Sequence, residues 1–437
     1  MVADANYVHR IMASAEKRFP KQEVMARSLF MADGETWASS RRTLLPAFGT
    51  RSMKHFVPAF HEATLCLAAS MRALAVESPG TAFNCFDAFK ELTFQVICRC
   101  GFDYDASRAN PHAEAFTSAF EFIIHHQVTR SFQFGFLKIL PTSSNRRFAA
   151  AKASIETVVA DIMAQRLAER PAGVARGELP PSASEHADFL AFMMDNADPE
   201  TGDFISHDIM QEQVMVFLAA GHVTTTLLTS WALFCIAQHP EVEAKILAEL
   251  AGVLGPDPAA LPSFAQIGEM HYLLMVLKET LRLYPAAQSV IRYHPEPFVV
   301  GGYRVAGGSH SMTVPWVIHR DPELWSQPEA FIPERFAPER ETRRHPFAWM
   351  PFGGGDRVCI GSRFALLEVR AVVAVLLRNF HFEVPPGFEV AASRNPVEPD
   401  GGLLLVPSLR DSAAAASQGA ALYDSLASFA THDPDAL

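Results

Sequence analysis

The stretch Phe352-Gly353-Gly354-Gly355-Asp356-Arg357-Val358-Cys359-Ile360-Gly361 decides how this chain is read. It fits the pattern F-x-x-G-x-R-x-C-x-G, whose odds of arising by chance in a chain this long are roughly 10⁻⁴ by average residue usage. Glycines let backbone lie flat against a large planar ligand and take positive φ. The residues that follow, Ser362 to Val369, read as a helix. Cys359 therefore stands just ahead of a helix N-terminus, where the dipole favours thiolate over thiol. The competing reading is a glycine-rich turn around a buried structural cysteine.

Around this loop lies a chain of 437 residues, 49% hydrophobic and 19% charged, enough for a large core. Length alone allows two or three domains, or one large one. A net charge of -11 argues against nucleic acid as a partner, since phosphate backbones demand basic surface. The cysteines are Cys66, Cys85, Cys98, Cys100, Cys235 and Cys359. No secretory segment is read ahead of them and their spacing gives no disulfide framework, so a reducing, cytoplasmic setting is expected. Cys98 and Cys100 lack zinc-site neighbours and are expected on a buried helix. From Val214 to Ala237 there is no charge, a length that suits a membrane span. His222, Thr224, Thr225, Thr226, Thr229 and Ser230 make a poor lipid-facing set, so the expectation is a buried helix and no transmembrane segment.

Helical periodicity dominates as far as about Gln238: Ala38–Phe48, Ser52–Ala75, Ala88–Cys100, Pro111–Thr129 and Asn145–Arg170. Pro171–His186 reads as a surface loop, and Pro240–Leu254 and Ser263–Tyr284 as further helices, the second stopped by Pro285. The pattern then changes to a tight hairpin at Phe298–Val305, a strand at Ser311–Val317 and a late strand at Leu403–Val406. The expectation is a mainly α, α+β chain with small sheets over 1–410, followed by an Ala/Ser-rich, disordered tail at 411–437.

A thiolate held as Cys359 is suits the iron of heme, pushing electron density toward dioxygen bound on the other face. Arg357, two residues earlier, can reach a heme propionate. The loop resembles the heme-binding signature of the cytochrome P-450 family, and further motifs follow that family's order from about Gly34 to Leu409. Trp37-Ala38-Ser39-Ser40-Arg41 resembles its W-x-x-x-R, Glu279-Thr280-Leu281-Arg282 its E-x-x-R, and Pro333-Glu334-Arg335-Phe336 the downstream arginine segment. His319-Arg320-Asp321-Pro322 and Ala220-Gly221-His222-Val223-Thr224-Thr225, the oxygen-activation motif, also match in order.

The resemblance implies heme b (iron protoporphyrin IX) with Cys359 as axial ligand, and Phe352, Gly355 and Gly361 in the loop around it. Arg357, Trp37, Arg41 and Arg292 would hold the cofactor, and Glu279, Arg282 and Arg335 would form a buried structural triad. Ala220, Gly221 and Thr224 would form the oxygen-binding groove. The chain departs from the family at Val223, where an Asp or Glu is usual. That leaves open a peroxide-driven or non-monooxygenase reaction. The family also has a longer stretch ahead of the W-x-x-x-R helix. An N-terminally short chain lacking the first sheet strands is therefore expected, and an inactive truncated heme binder is the other alternative. Asp198–Gly202, Ala220–His222 and Phe331–Phe336 resemble bacterial fatty-acid hydroxylases whose heme domain is fused to a reductase. With no flavin domain after 409, a separate NAD(P)H-dependent reductase or ferredoxin is implied. It would meet the cysteine side near Arg357 and Arg363. The implied substrate is apolar, bounded by Phe217, Ala220, Thr224, Ala287, Val290 and Phe30.

Overall fold

The computed structural model describes residues 8, 11–12, 26–106, 118–120, 122–123, 126, 140–168, 188–287, 289–390, 399 and 401–410. The expected loop Pro171–His186, most of the expected helix Pro111–Thr129 and the expected tail 411–437 lie outside them. Among the described residues the helices are α1 (Gly34–Leu44), α2 (Thr50–Glu77), α3 (Cys85–Phe102), α4 (Ser143–Ala168), α5 (Phe189–Asp195) and α6 (His207–Gln238). They continue as α7 (Pro240–Leu254), α8 (Phe264–Glu269), α9 (His271–Leu283), α10 (Pro315–Ile318), α11 (Pro338–Glu341) and α12 (Ser362–Asn379). The strands are β1 (Phe83–Asn84), β2 (Val290–His294), β3 (Phe298–Val300), β4 (Tyr303–Val305), β5 (Ser309–Thr313), β6 (Phe380–Glu383) and β7 (Leu404–Leu409). The chain is mainly helical with small antiparallel sheets, as the patterning predicts. The chain forms two compact units, and α3 and α6 each contribute residues to both.

The first unit comprises Met1–Ala15, Met53–Thr93 and Val223–Leu437. Its sheets are β1-β7-β6, β2-β5 and β3-β4. Gly301 and Gly302 turn the β3–β4 hairpin with φ of 58° and 82°, a two-residue loop that residues with a Cβ enter reluctantly. Helix α12 buries Phe364, Leu367, Val372 and Leu376, and the Phe364 ring meets Phe56 and Phe60 of α2 edge-on at 5.6 and 5.4 Å. Trp231 of α6 stacks on Tyr284, just past α9, with centroids 3.6 Å apart.

Two expectations differ from the structure. The helix expected over Ser263–Tyr284 is two helices, because Ser263 and Gln266 form a capping box on α8 and Met270 leaves helical geometry before α9 begins. The strand expected over Ser311–Val317 ends at Thr313, where Pro315 opens the helical turn α10.

The second unit comprises Glu16–Ser52 and Phe94–His222. Arg42 of α1 grips the buried Asp198 carboxylate with both Nε (2.9 Å) and Nη2 (2.7 Å). Gln213 of α6 accepts a hydrogen bond from Leu29 N at 2.9 Å and donates to Ser40 Oγ of α1 at 3.3 Å. These contacts hold α1, with Trp37 and Arg41 on it, against the start of α6. Helix α6 is long and apolar enough to cross a membrane, but 72% of its most apolar window is buried.

Candidate heme-binding site

The cysteine loop is shaped before any ligand is considered. Gly353 and Gly355 have φ of 75° and 66°, and a Cβ on Gly355 would lie 2.6 Å from the Met12 carbonyl oxygen. A Cβ on Gly354 would strike the Phe347 ring at 2.6 Å. Gly355, which the motif requires, and Gly353 and Gly354 beside it are thus demanded by backbone shape or protein neighbours. Gly361, by contrast, has φ of -88° and serves as the N-cap of α12. Gly355–Arg357 make one 3-10 turn, and Cys359 N donates to Phe352 O at 2.9 Å, closing the loop.

Of the six cysteines Cys359 alone is exposed. Burial pushes the thiols of Cys85, Cys98 and Cys235 far up, out of reach of thiolate at neutral pH. No cluster of three or more His, Cys, Asp or Glu that could hold a metal ion occurs among the described residues. What the loop offers is a single sulfur donor, which suits a metal already held by a macrocycle.

Two arginines of the same unit are buried near the loop's own elements or on the adjoining sheet. Arg357 is 8% exposed and Arg292, on β2, is wholly buried, with Nη1 donating to Ile291 O at 3.0 Å. Guanidinium groups stay charged at any physiological pH, so buried ones call for anionic company. Heme propionates would be one such anion, and the donor set fits heme b. Trp37 and Arg41, in the other unit, are half-buried on α1 with the guanidinium 5.9 Å from the indole centroid.

The loop is held in place by the E-x-x-R pair. Glu279 and Arg282 are both wholly buried, and the carboxylate receives Arg282 Nε at 2.7 Å and Nη2 at 2.9 Å. Arg335 Nε adds a contact of 3.3 Å and Ile332 N one of 2.8 Å. The spare donors of Arg282 go to the carbonyls of His319 (2.8 Å), Pro328 (2.6 Å) and Ala330 (2.9 Å). The three residues expected to form a triad are therefore together, and they tie α9 to the coil that precedes the cysteine loop.

His319 completes the link, and the sequence reading gave it no role of its own. Its Nδ1 faces Arg282 O at 3.1 Å and its Nε2 accepts from Met350 N at 2.9 Å, which makes Nδ1 the protonated nitrogen. Met350 O in turn accepts from Gly353 N at 3.0 Å, the first glycine of the loop. Burial pushes the imidazole down to about 3. Because the folded chain then binds this proton less readily than the unfolded one, its stabilising share is intact above the ordinary value of 6.5. It is lost as pH falls from 6.5 toward 3. Urea midpoints should therefore decline steeply over that window, and the His319→Gln variant, less stable at pH 7, should show a shallower decline.

Along α6 the burial pattern opens on one side. Ala219, Ala220, Val223 and Thr224 are partly or fully exposed within an otherwise buried helix, and their spacing puts them on one face. Thr224, expected beside the cofactor, lies on that open face. Gly221 has another use: a Cβ there would lie 2.5 Å from the Ile97 side chain, so the glycine lets α3 approach α6. Phe217, expected at the substrate, is buried in a cluster with Phe48 and Phe189, at 5.9 and 5.4 Å between centroids. Ala287 and Phe30 are exposed and Val290 is half-buried, whereas Gln288 lies outside the described residues. Arg363 is exposed, but the burial of Arg357 removes it from any surface that a partner could touch.

The chain resembles proteins of known family at every level. The cytochrome P450 family profile matches residues 2–410. Cytochrome P450 4V2 of rat (Rattus norvegicus) is 30% identical over 370 residues, covering 83% of this chain and 69% of that one. Rat cytochrome P450 4B1 is 31% identical over 368 residues, covering 83% and 70%. The solved heme domain of cytochrome P450DA superposes with a TM-score of 0.80 at 26% identity, covering 93% of this chain and 87% of that one. Members of the family are heme b monooxygenases. With a cysteine loop, buried arginines and a clamped triad in the order that the motifs require, this chain belongs to the cytochrome P450 family.

Proposed function

We propose that the chain hydroxylates or epoxidises an apolar small molecule of the fatty-acid class, using dioxygen and electrons from a separate NAD(P)H-dependent reductase or ferredoxin in the cytoplasm. The observation that carries this reading is Cys359, the one exposed thiol, set three residues ahead of α12 in a loop clamped by the triad. Bound heme b supplies the iron at which dioxygen is activated for insertion into a C–H bond or alkene. The Cys359 sulfur would hold the iron, and the α12 N-terminus would favour its thiolate form. Arg357 and Arg292 would hold the propionates through charge-assisted hydrogen bonds. On α6, Thr224 offers a hydroxyl on the open face, while Ala220 and Val223 beside it present carbon to the substrate. That apolar lining and the likeness of Asp198–Gly202, Ala220–His222 and Phe331–Phe336 to the fatty-acid hydroxylases favour a long acyl chain. Exposed Arg363 leaves a cation on the cysteine side for an acidic electron donor.

The purified, heme-loaded protein tests this in two steps. Reduction under carbon monoxide should give the red-shifted Soret band of a cysteinate-ligated heme, and an unshifted band would remove Cys359 as ligand. Saturated fatty acids of increasing chain length should then shift the heme spin state, with affinity rising about 0.8 kcal/mol per buried methylene until the cavity is filled. A flat response across the series, with a shift from a terpenoid or sterol instead, would keep the enzyme and overturn the substrate. Val223 favours one other reading, a reaction driven by peroxide, which brings its own protons. Turnover with hydrogen peroxide and none with any electron donor would establish it.

A further inference from the structure

A row of aromatic rings leads away from the cysteine loop within the first unit. Phe352, whose carbonyl oxygen closes the loop on Cys359 N, meets Trp349 edge-on with ring centroids 6.1 Å apart. Trp349 meets Phe336 at 5.4 Å, and Phe336 meets Trp325 at 5.9 Å. The two tryptophans stand in opposite electrostatic settings. Trp325 is 1% exposed and faces two guanidinium groups, Arg344 at 4.2 Å and Arg282 at 5.1 Å from its centroid. That charge is not cancelled, because Arg282 shares Glu279 with Arg335, and Arg344 Nη2 bonds a neutral carbonyl, that of Arg335, at 2.6 Å. Trp325 Nε1 has no hydrogen-bond partner among the described residues. Trp349 is half-buried, and its Nε1 donates to Lys278 O at 3.1 Å. The Lys278 ammonium lies 5.7 Å from the Trp349 centroid, but both Glu341 carboxylate oxygens hold it, at 2.7 and 2.8 Å.

These settings decide which indole can give up an electron. The radical cation left behind is repelled by a nearby positive charge, most of all where water cannot screen it. Its N–H makes a charge-assisted hydrogen bond, so a carbonyl acceptor favours the loss. Trp325 is thereby held reduced, and Trp349, the ring in contact with the loop, is the donor. We propose that Trp349 passes electrons from a small thiol to the peroxide-oxidised enzyme when no substrate is bound, a thiol peroxidase activity beside oxygenation. This rests on heme bound at Cys359. Hydrogen peroxide, the oxidant, takes up two electrons and two protons in becoming two waters. With no substrate C–H bond to supply them, Trp349 gives one electron toward the cysteine loop, and no bond in the indole breaks. A thiol at the surface returns that electron and releases its proton to water. Two such passes consume one peroxide and join two thiols as a disulfide, and Trp349 ends as it began.

Electron spin resonance tests this on heme-loaded, substrate-free protein frozen rapidly after mixing with hydrogen peroxide. Wild type should show an indolyl radical, its signal narrowed when the protein carries ring-deuterated tryptophan. Trp349→Phe should lose the signal and Trp325→Phe should keep it. Peptide mapping after longer exposure should find hydroxylated indole at Trp349 ahead of Trp325. With glutathione as the thiol, disulfide formation by Trp349→Phe should drop to the level of heme-free protein, and its heme should bleach faster. A radical that survives in Trp349→Phe or vanishes from Trp325→Phe would overturn the proposal. Oxidation that begins at Trp325, or thiol oxidation undiminished in Trp349→Phe, would do the same. The red-shifted carbon monoxide band separates the two failures. A wild type with that band and no radical defeats this proposal alone, whereas a wild type without the band defeats the heme-thiolate reading first. Should Trp349→Phe not fold, Trp349→Tyr keeps an oxidisable ring. A tyrosyl signal in place of the indolyl one would then support the proposal, and a persisting indolyl signal would overturn it.

Discussion

Replacing Cys359 by alanine is expected to abolish the red-shifted carbon monoxide band outright, and with it all electron-driven oxygenation. The loss should be total because no second sulfur can substitute. Cys66 is half-buried, Cys85, Cys98, Cys100 and Cys235 are buried, and none lies in a loop ahead of α12. The fold should hardly notice. The Cys359 side chain is exposed, and the contact that closes the loop runs from its backbone N to Phe352 O at 2.9 Å, which alanine keeps. Surface changes of this kind stay within about 0.5 kcal/mol. Chemical denaturation of the heme-free protein should therefore give matching midpoints for variant and wild type, while the reduced spectra differ completely. An alanine variant whose Soret band is unaltered would mean that the sulfur is not the ligand, and the reading of the whole loop would fail with it.

The sequence made the loop legible because its physics is local. A turn that needs positive φ at Gly353 and Gly355 needs glycine there, and a cysteine next to a helix start can be seen in ten consecutive residues. The helices were legible for the same reason, apart from the break at Met270, where a capping box of two polar residues outweighed an unbroken apolar pattern. Strand β2 was missed because its partner β5 begins fifteen residues beyond its end and only pairing makes Val290–His294 a strand. The triad was half legible. Glu279 and Arg282 share a face by spacing, but nothing in their neighbourhood says that Arg335 and the carbonyls of Pro328 and Ala330 close around them. His319 gave no local signal, since its burial is a product of Arg282 and Met350.

Removing Glu279 should have the largest effect on stability of any single change in the chain. In Glu279→Ala two guanidinium groups, one wholly buried and one nearly so, lose their shared counter-charge, and breaking a buried network in this way costs about 3–5 kcal/mol. Domains are stable by only about 5–15 kcal/mol, so the variant should lie at the edge of folding. The damage should also travel in a definite direction. Arg282 holds the His319 carbonyl, His319 holds Met350 N, and Met350 O holds Gly353, so a loosened Arg282 frees the cysteine loop from its near end. Heme content should consequently fall further than helix content, with residual heme showing a mixture of shifted and unshifted carbon monoxide bands. Glu279→Gln sharpens the test, because it keeps shape and one acceptor oxygen while removing the charge. If stability tracks charge, Gln should resemble Ala in its denaturation midpoint. If the hydrogen bond to Ile332 N and the packing decide, Gln should resemble wild type. A Glu279→Ala protein that folds normally and keeps an undivided red-shifted band would show that the cysteine loop holds its shape without the triad, through Met12, Phe347 and its own glycines.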